Sequence, residues 1–407
     1  MDTYVNDGRE EAKEYLNTVA LNRTEILSDR ELSHRMDRYG LNPCGEITGR
    51  DFHCNLSEVH LNTIDPADNE AQVRAFYAAG LQVAALLQHE FVHERYQYSR
   101  EIDPIVGVSF TGLFDFLVHA GGSSWLEWMM NGRPKGRAAD LFSAMERNYL
   151  QRWRRAAIRG VREYCEKHGI RVPNRITTVQ PAGTKSLLTG ASSGWHPPKA
   201  QRFIRRITLG VNDPLVPALI HHGYSVIPAQ SARDDDGNLL DNISDARVHE
   251  VLVEIPTEVS WANLPGCDQF DLSKLGVKAQ WGLYMQVQNN YTDHNTSATI
   301  EMRECEIDTL SELIHTNIDK NGGYISAALL ARFDASETFP RLPFEPISKE
   351  KYDKLMKVQK ASRLGDDRTL LEILKKYDSE DWTIESVAGC TNAACVAKAE
   401  AEEREGK

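Results

Sequence analysis

Within five residues, Asn42-Pro43-Cys44-Gly45-Glu46, the chain sets an amide, a thiol and a carboxylate on one tight turn, and a second thiol, Cys54, follows ten residues later. Pro43 fixes one backbone angle and Gly45 permits conformations closed to other residues, so the flanking side chains are held in a set geometry. A glutamate two positions from a cysteine is a poor neighbour for a thiolate nucleophile, because its negative charge raises the thiol pKa. The pair suits a different chemistry: a thiol that stays protonated at rest and carries a hydrogen atom, beside a carboxylate that acts as general base on a substrate. The competing reading is a Pro-Gly turn that happens to hold a cysteine.

A second constellation begins where Ile176-Thr177-Thr178-Val179-Gln180, read as a strand, runs into Pro181-Ala182-Gly183-Thr184-Lys185-Ser186 and then Leu187-Leu188. A small-residue turn between a strand and a helix directs backbone N–H groups and a helix N-terminus at one spot, which predicts phosphate binding; a purely structural turn is the alternative. The GxxxxGK[ST] spacing is absent, which argues against a nucleotide-hydrolysing engine. Near the other end, Cys390 and Cys395 form a dithiol on a segment with little to hold it. Such a pair can reduce a buried disulfide by exchange and then be reduced at the surface by another protein. Zinc is the weaker reading there, since it needs about four ligands and no other Cys or His pair lies close in sequence. His89-Glu90-Phe91-Val92-His93 matches HExxH inside a stretch predicted to be helical. The longer HExxHxxGxxH form fails, with Tyr96 at its glycine and Ser99 at its third histidine, so the motif reads as a solvated helix face and no metal site is expected.

These groups need elements to position them. Residues 1–38 are charged and periodic and read as an exposed helical lead-in with no core of its own. A long helix is predicted from Asp68, as cap, to about Tyr98, a buried strand over 105–110 and another helix over 138–167. Further apolar runs at 175–179, 248–255 and 291–300, separated by helical or loop sequence, imply an α/β architecture with a largely parallel sheet, wound or closed into part of a barrel. A charged helical region follows over 346–385, and 386–407 reads as a mobile tail. At 407 residues and 41% hydrophobic the chain is large enough for more than one core. Its formal net charge of −12 argues against a general grip on nucleic acid. The longest apolar runs are too short to span a bilayer and the acidic start is unlike a signal peptide, so a cytoplasmic address is expected. Seven cysteines in such a chain do not make a disulfide scaffold.

Taken together, NPCGEI at 42–47, Cys54-Asn55-Leu56, PAGTKS at 181–186 with ASSGWHP at 191–197, YTDHNTSATI at 291–300, YISAALL at 324–330 and the terminal CTNAAC resemble the ribonucleotide reductases. More closely, they are similar to the monomeric adenosylcobalamin-dependent (class II) ribonucleoside-triphosphate reductases. The resemblance covers nearly everything from about Tyr39 to Cys395. It implies that Cys44 becomes a thiyl radical that removes the 3′ hydrogen of the ribose, after a deoxyadenosyl radical from the cobalamin has taken its own hydrogen. Glu46 is then the base for the 3′ hydroxyl, Asn42 orients the sugar, and Cys54 is one of two thiols that supply electrons as the 2′ hydroxyl leaves. Cys390 and Cys395 restore that pair and thioredoxin or a similar reductant restores them, while Pro181, Ala182, Gly183, Thr184, Lys185 and Ser186 bind the substrate phosphates.

The chain departs from that family in one large respect. The radical cysteine normally lies on a finger loop with half of a ten-stranded α/β barrel before it, whereas 43 residues precede Cys44 here. The expected fold is therefore α/β, the second half of such a barrel with its finger loop over 39–345, followed by the 346–385 helical region and the redox tail. As the C-terminal portion of a split enzyme it is expected to need an N-terminal half, which brings the second reducing cysteine and the allosteric nucleotide site, and to expose an apolar seam and open sheet edges without it. Cys165, Cys267 and Cys305 read as ordinary buried or incidental thiols. The alternatives are a metal-radical reductase subunit without cobalamin and a non-catalytic relic that binds nucleotides or a partner reductase.

Overall fold

The computed structural model describes residues 28–36, 40–332, 341–363 and 367–377. The described residues form two compact units. One takes in the chain through Gln201 and again from Val259 to Arg332; the other holds Arg202–Glu258 and the described residues from 341 onward. The catalytic region expected over 39–345 is thus interrupted by a segment that belongs elsewhere.

In the first unit the elements are α1 (Asp29–Met36), the short paired strands β1 (Gly40–Leu41) and β2 (Thr48–Gly49), β3 (Asn55–His60), α2 (Asn69–Ala85), α3 (Glu94–Ile102), β4 (Val106–Thr111), α4 (Leu113–Met130), α5 (Arg137–His168), α6 (Val277–Asn290), β5 (Thr299–Met302), α7 (Ile307–Asp319) and β6 (Ala328–Ala331). Parallel pairing runs through five stretches in chain order. β3 pairs with β4 in register from Asn55 with Val106, Val108 bridges Thr177, Val179 bridges Thr296, and β5 pairs with β6. Successive parallel neighbours joined by helices are the α/β barrel pattern that the apolar runs predicted. Ser57 sends its hydroxyl to the Ala79 carbonyl of α2, so alternation turns Leu56 and Glu58 to the opposite, concave face. The outer strands β3 and β6 have no second strand neighbour among the described residues, and all four residues of β6 are exposed, Leu329 and Leu330 included.

The outer face of the sheet is sealed by α2 and α5. Phe76 stacks on Trp153 at 5.2 Å, and Phe110 and Tyr291 pack edge-on against this pair. The two helices touch through glycine on each side: a Cβ on Gly80 would strike the Ala157 carbonyl, and one on Gly160 the Tyr77 carbonyl. Asp68 caps α2 by accepting from the Ala71 N–H at 2.8 Å.

Three expectations change. The helix expected over 68–98 ends at Ala85, continues for one tight turn to Gln88, and resumes at Glu94. His89 and His93 have extended backbones, so the two histidines of the HExxH match share no helix face; His89 instead stacks edge-on against Phe91 and His93 against Tyr96. α1, read as part of an exposed lead-in, is buried along Leu32 and Met36 and also at Glu31, His34 and Arg35. The run at 248–255 lies in an antiparallel sheet, not in the parallel one.

That sheet makes the second unit. Glu250–Glu258 pairs with Arg202–Gly210 on one side and Ser225–Pro228 on the other, and Phe344–Pro346 adds to the far edge of Arg202–Gly210, all antiparallel. Val216, Ala232, Val248 and Val251 form its core. The Arg206 side chain, 6% exposed in mid-sheet, is held by Glu254 at 2.7 Å and Glu345 at 2.6 Å, so its charge is matched from both neighbouring strands. Helices Leu215–His221, Lys349–Ser362 and Leu370–Tyr377 complete the unit. No helix among the described residues is long and apolar enough to cross a membrane.

Candidate functional site

The loop 42–47 closes the β1–β2 hairpin, in which Gly40 faces Gly49 and Leu41 faces Thr48. The Asn42 N–H donates to the Ile47 carbonyl at 3.0 Å, and the Gly45 N–H, at a residue with φ of +74°, donates back to the Asn42 carbonyl at 2.9 Å. Asn42 Oδ1 accepts from the Glu46 and Ile47 N–H groups, both at 3.0 Å. The carbonyl of this side chain is therefore spent on shaping the turn, and only its NH2 faces outward, reaching Cys54 Sγ at 3.8 Å. Asn42 thus also staples the turn, a part the sequence reading did not give it.

Three successive carbonyls of the loop are fastened to the barrel strands. The Ser297 hydroxyl donates to the Cys44 carbonyl at 2.8 Å, Asn295 Nδ2 to Gly45 at 2.5 Å, and the Thr178 hydroxyl and Asn295 N–H to Glu46 at 2.7 and 3.1 Å. Ile47 inserts fully buried into the concave face, where Gly107 of β4 leaves it room: a Cβ there would meet Leu56, Thr178 and Ile47 side chains. Beneath the loop His294 is buried, with Nε2 at 2.9 Å from the Val106 carbonyl and Nδ1 at 3.4 Å from the Thr48 hydroxyl. Since a carbonyl can only accept, Nε2 carries the proton and Nδ1 is the acceptor. Burial and then Arg175 keep this imidazole neutral, its pKa well below the ordinary value. Thr178, Asn295 and Ser297 were not singled out from sequence as anchors. Their signal was present as polar residues inside stretches otherwise reading as buried strand, since a buried polar group must find a partner.

Both thiols are free and exposed in part. Burial on the protein side and then the Glu46 charge raise the Cys44 pKa. The same two causes push Cys54 up to about 11, against a smaller lowering from the Asn42 amide. At neutral pH both are thiols. Glu46 is 3% exposed, and its Oε2 is buried beside the turn without a hydrogen-bond partner among the described residues. The arrangement combines a protonated thiol, an unengaged carboxylate oxygen and a second protonated thiol joined to the turn through one amide.

The 181–186 segment differs from its expected form. Instead of an α-helix, Lys185–Leu188 makes a single 3-10 turn, entered through Ala182 at φ of +52°. The helix N-terminus invoked for phosphate binding is therefore missing, because Leu187-Leu188 does not propagate into a helix and Leu188 lies exposed. Lys185 Nζ sits on Gln180 Oε1 at 2.6 Å. Glu58 nearby has both carboxyl oxygens buried without a hydrogen bond among the described residues, and burial raises its pKa against the pull of Lys185. Cys390 and Cys395 lie outside the described residues. Cys165 and Cys267 are buried and Cys305 is exposed. The structure thus joins Asn42, Cys44, Glu46 and Cys54 in one place and sets 181–186 on a neighbouring strand's C-terminal end.

No protein-family model matches the chain. Among curated proteins it is similar to the adenosylcobalamin-dependent ribonucleoside-triphosphate reductase of Lactobacillus helveticus (strain DPC 4571), 26% identical over 373 residues, covering 89% of this chain and 46% of the relative. The reductase of the same description from Lactobacillus leichmannii is 26% identical over 363 residues, covering 84% and 45%. A solved structure described as a B-12 dependent (class II) ribonucleotide reductase superposes with a TM-score of 0.64 at 22% identity, covering 84% of this chain and 44% of that one. The chain spans about half the length of the curated relatives it matches. The resemblance seen in the motifs and the α/β fold it implied are both borne out.

Proposed function

We propose that this chain, a relative of the adenosylcobalamin-dependent ribonucleoside-triphosphate reductases, is the radical-bearing part of such an enzyme and reduces ribonucleotides, most readily as triphosphates, once an N-terminal half is supplied. The observation that carries this reading is the pinned 42–47 loop, which presents Cys44 as a protonated thiol with Glu46 and Cys54 beside it. A thiol can give up a hydrogen atom only while it holds one, so raised thiol pKa values suit hydrogen-atom transfer and disfavour thiolate attack. Adenosylcobalamin, when bound, supplies the carbon-centred radical that side chains cannot make. The residues present fit such a cofactor through Cys44, the exposed thiol that it has to approach.

In this reading Cys44, having first given up its own thiol hydrogen atom, takes the 3′ hydrogen of the ribose as a thiyl radical, and Glu46 takes the 3′ hydroxyl proton onto its unbonded oxygen. Asn42 holds the sugar with its remaining N–H donors while its carbonyl keeps the turn in shape. Cys54 gives electrons as the 2′ hydroxyl departs as water, and forms a disulfide with a cysteine contributed by the N-terminal half. Cys390 and Cys395 reduce that disulfide by thiol exchange and are themselves reduced by thioredoxin or a similar protein in the cytoplasm. Lys185, with the backbone of 181–186, receives the phosphates after leaving Gln180. The exposed β6 strand supports the need for a further polypeptide.

The test is co-expression with a candidate N-terminal half, followed by reduction of ribonucleoside triphosphates with and without adenosylcobalamin. Cofactor-dependent product formation, abolished by Cys44→Ser, is expected. Equal activity without the cofactor, or an active Cys44→Ser variant, overturns the reading.

A further inference from the structure

The base of the Cys44 loop is tied to α1 by two buried polar routes. In the first, Arg175 Nη1 donates to the Thr48 carbonyl at 3.0 Å and to its hydroxyl at 2.6 Å, while Nη2 holds Asp103 Oδ2 at 2.6 Å. Asp103 Oδ1 takes Arg35 of α1 at 3.4 Å, and Arg35 is paired along its own helix with Glu31 at 2.8 Å. Glu31 is gripped in turn by Asn174 at 2.9 Å and by Arg171. In the second route His34 of α1 lies 3.1 Å from the Ser99 hydroxyl, which donates to the Arg50 carbonyl just past β2. Glu31, Arg35, Asp103 and Arg175 are each less than a tenth exposed.

Such a network is costly to bury unless each charge is matched, and its members are matched almost one for one. It spends that desolvation at the root of the hairpin, where a small rotation of β2 would be magnified at the loop tip. We infer that Arg175 and Asp103 are positioning residues for Cys44: they carry the docking of α1 to β2 and so fix the height and angle of the loop. The consequence is that a helix some distance before the thiol in sequence sets how the thiol is presented.

The inference is tested on the full chain by two readouts that need no catalysis, so it stands or falls separately from the proposed reductase activity. One is hydrogen exchange at the Glu46 and Ile47 amides, which the Asn42 side chain protects. The other is the pH dependence of Cys44 alkylation, with exposed Cys305 as internal reference. In Arg175→Met, exchange at those two amides is expected to quicken while amides of α5 stay protected. The alkylation midpoint of Cys44 should fall toward that of an ordinary thiol, giving about tenfold faster reaction at neutral pH for each unit of fall. Arg175→Lys, which keeps the charge and one donor for Thr48, should restore part of both. Should Arg175→Met not fold, Thr48→Val, which removes the hydroxyl that accepts from Arg175 and donates to His294 while leaving the Thr48 carbonyl in place, is read in the same way. A folded variant with unchanged exchange and midpoint overturns the inference. So does uniform loosening of α5 along with the loop, since that marks a purely structural role.

Discussion

Replacing Gly107 with alanine distinguishes a loop seated in the barrel from one that merely lies across it. Glycine in an open strand costs about 0.5–1 kcal/mol relative to alanine, so without the Ile47 insertion Gly107→Ala should stabilise the protein. The structure predicts the opposite sign. The added methyl would stand 2.7 Å from Thr178 Cγ2 and 3.2 Å from Ile47 Cδ1, in addition to striking the end of Leu56. Leu56 can swing aside, but Thr178 is β-branched and stiff, and turning it would pull its hydroxyl from the Glu46 carbonyl. Overpacking of this kind costs about 1–3 kcal/mol, and a lost hydrogen bond about 0.5–1.5 kcal/mol. Urea unfolding followed by the fluorescence of Trp125, Trp153 and Trp195, all fully buried in this unit, gives the change in midpoint. Unchanged or increased stability would refute the seating of Ile47 against Gly107.

Other outcomes follow from the same contacts. Gly80→Ala should destabilise by about 1–3 kcal/mol in the same unfolding assay, since the new methyl meets the Ala157 backbone carbonyl, which cannot swing away. Ser297→Ala should release the Cys44 carbonyl, lowering stability by about 0.5–1.5 kcal/mol and quickening alkylation of Cys44 more than of Cys305. Acid should destabilise the first unit: burial holds His294 well below its ordinary pKa and His196 down to about 4, so the unfolded chain binds more protons once pH falls below about 6.5. The stability these neutral rings contribute is full above that value and is lost by about 1.4 kcal/mol per group per pH unit below it, for His196 until its own pKa is reached. Thermal unfolding measured from pH 7 down to pH 4 checks the sign, and a flat profile would refute it.

The parts of the site legible in the sequence were those whose chemistry is local. Asn42, Cys44, Glu46 and Cys54 fall within 13 residues, and proline and glycine declare the turn that joins them. The anchors were not legible in the same way, because Asn295 and Ser297 lie about 250 residues from the carbonyls they hold. A polar residue in a strand reads as an interruption until its partner is in view. α1 was misread for a related reason. Its charges suggested solvent, yet Glu31 and Arg35 are buried because Asp103, Arg171 and Asn174 answer them from other elements. The HExxH stretch shows the limit of periodicity: its spacing continued the helical pattern, but the chain leaves the helix after Gln88 so that His89, Phe91, His93 and Tyr96 pack ring against ring. The run at 248–255 carried no mark of strand direction, and only its pairing with Arg202–Gly210 settles that it is antiparallel.

The bonds that fasten the 42–47 loop are accepted by carbonyl oxygens at positions 44, 45 and 46, not by the side chains at those positions. Main-chain acceptors are common to every residue type. The mount is accordingly blind to what it displays, so the side chain at position 44 or 46 can be exchanged as one changes a tool bit, with the holder left in alignment.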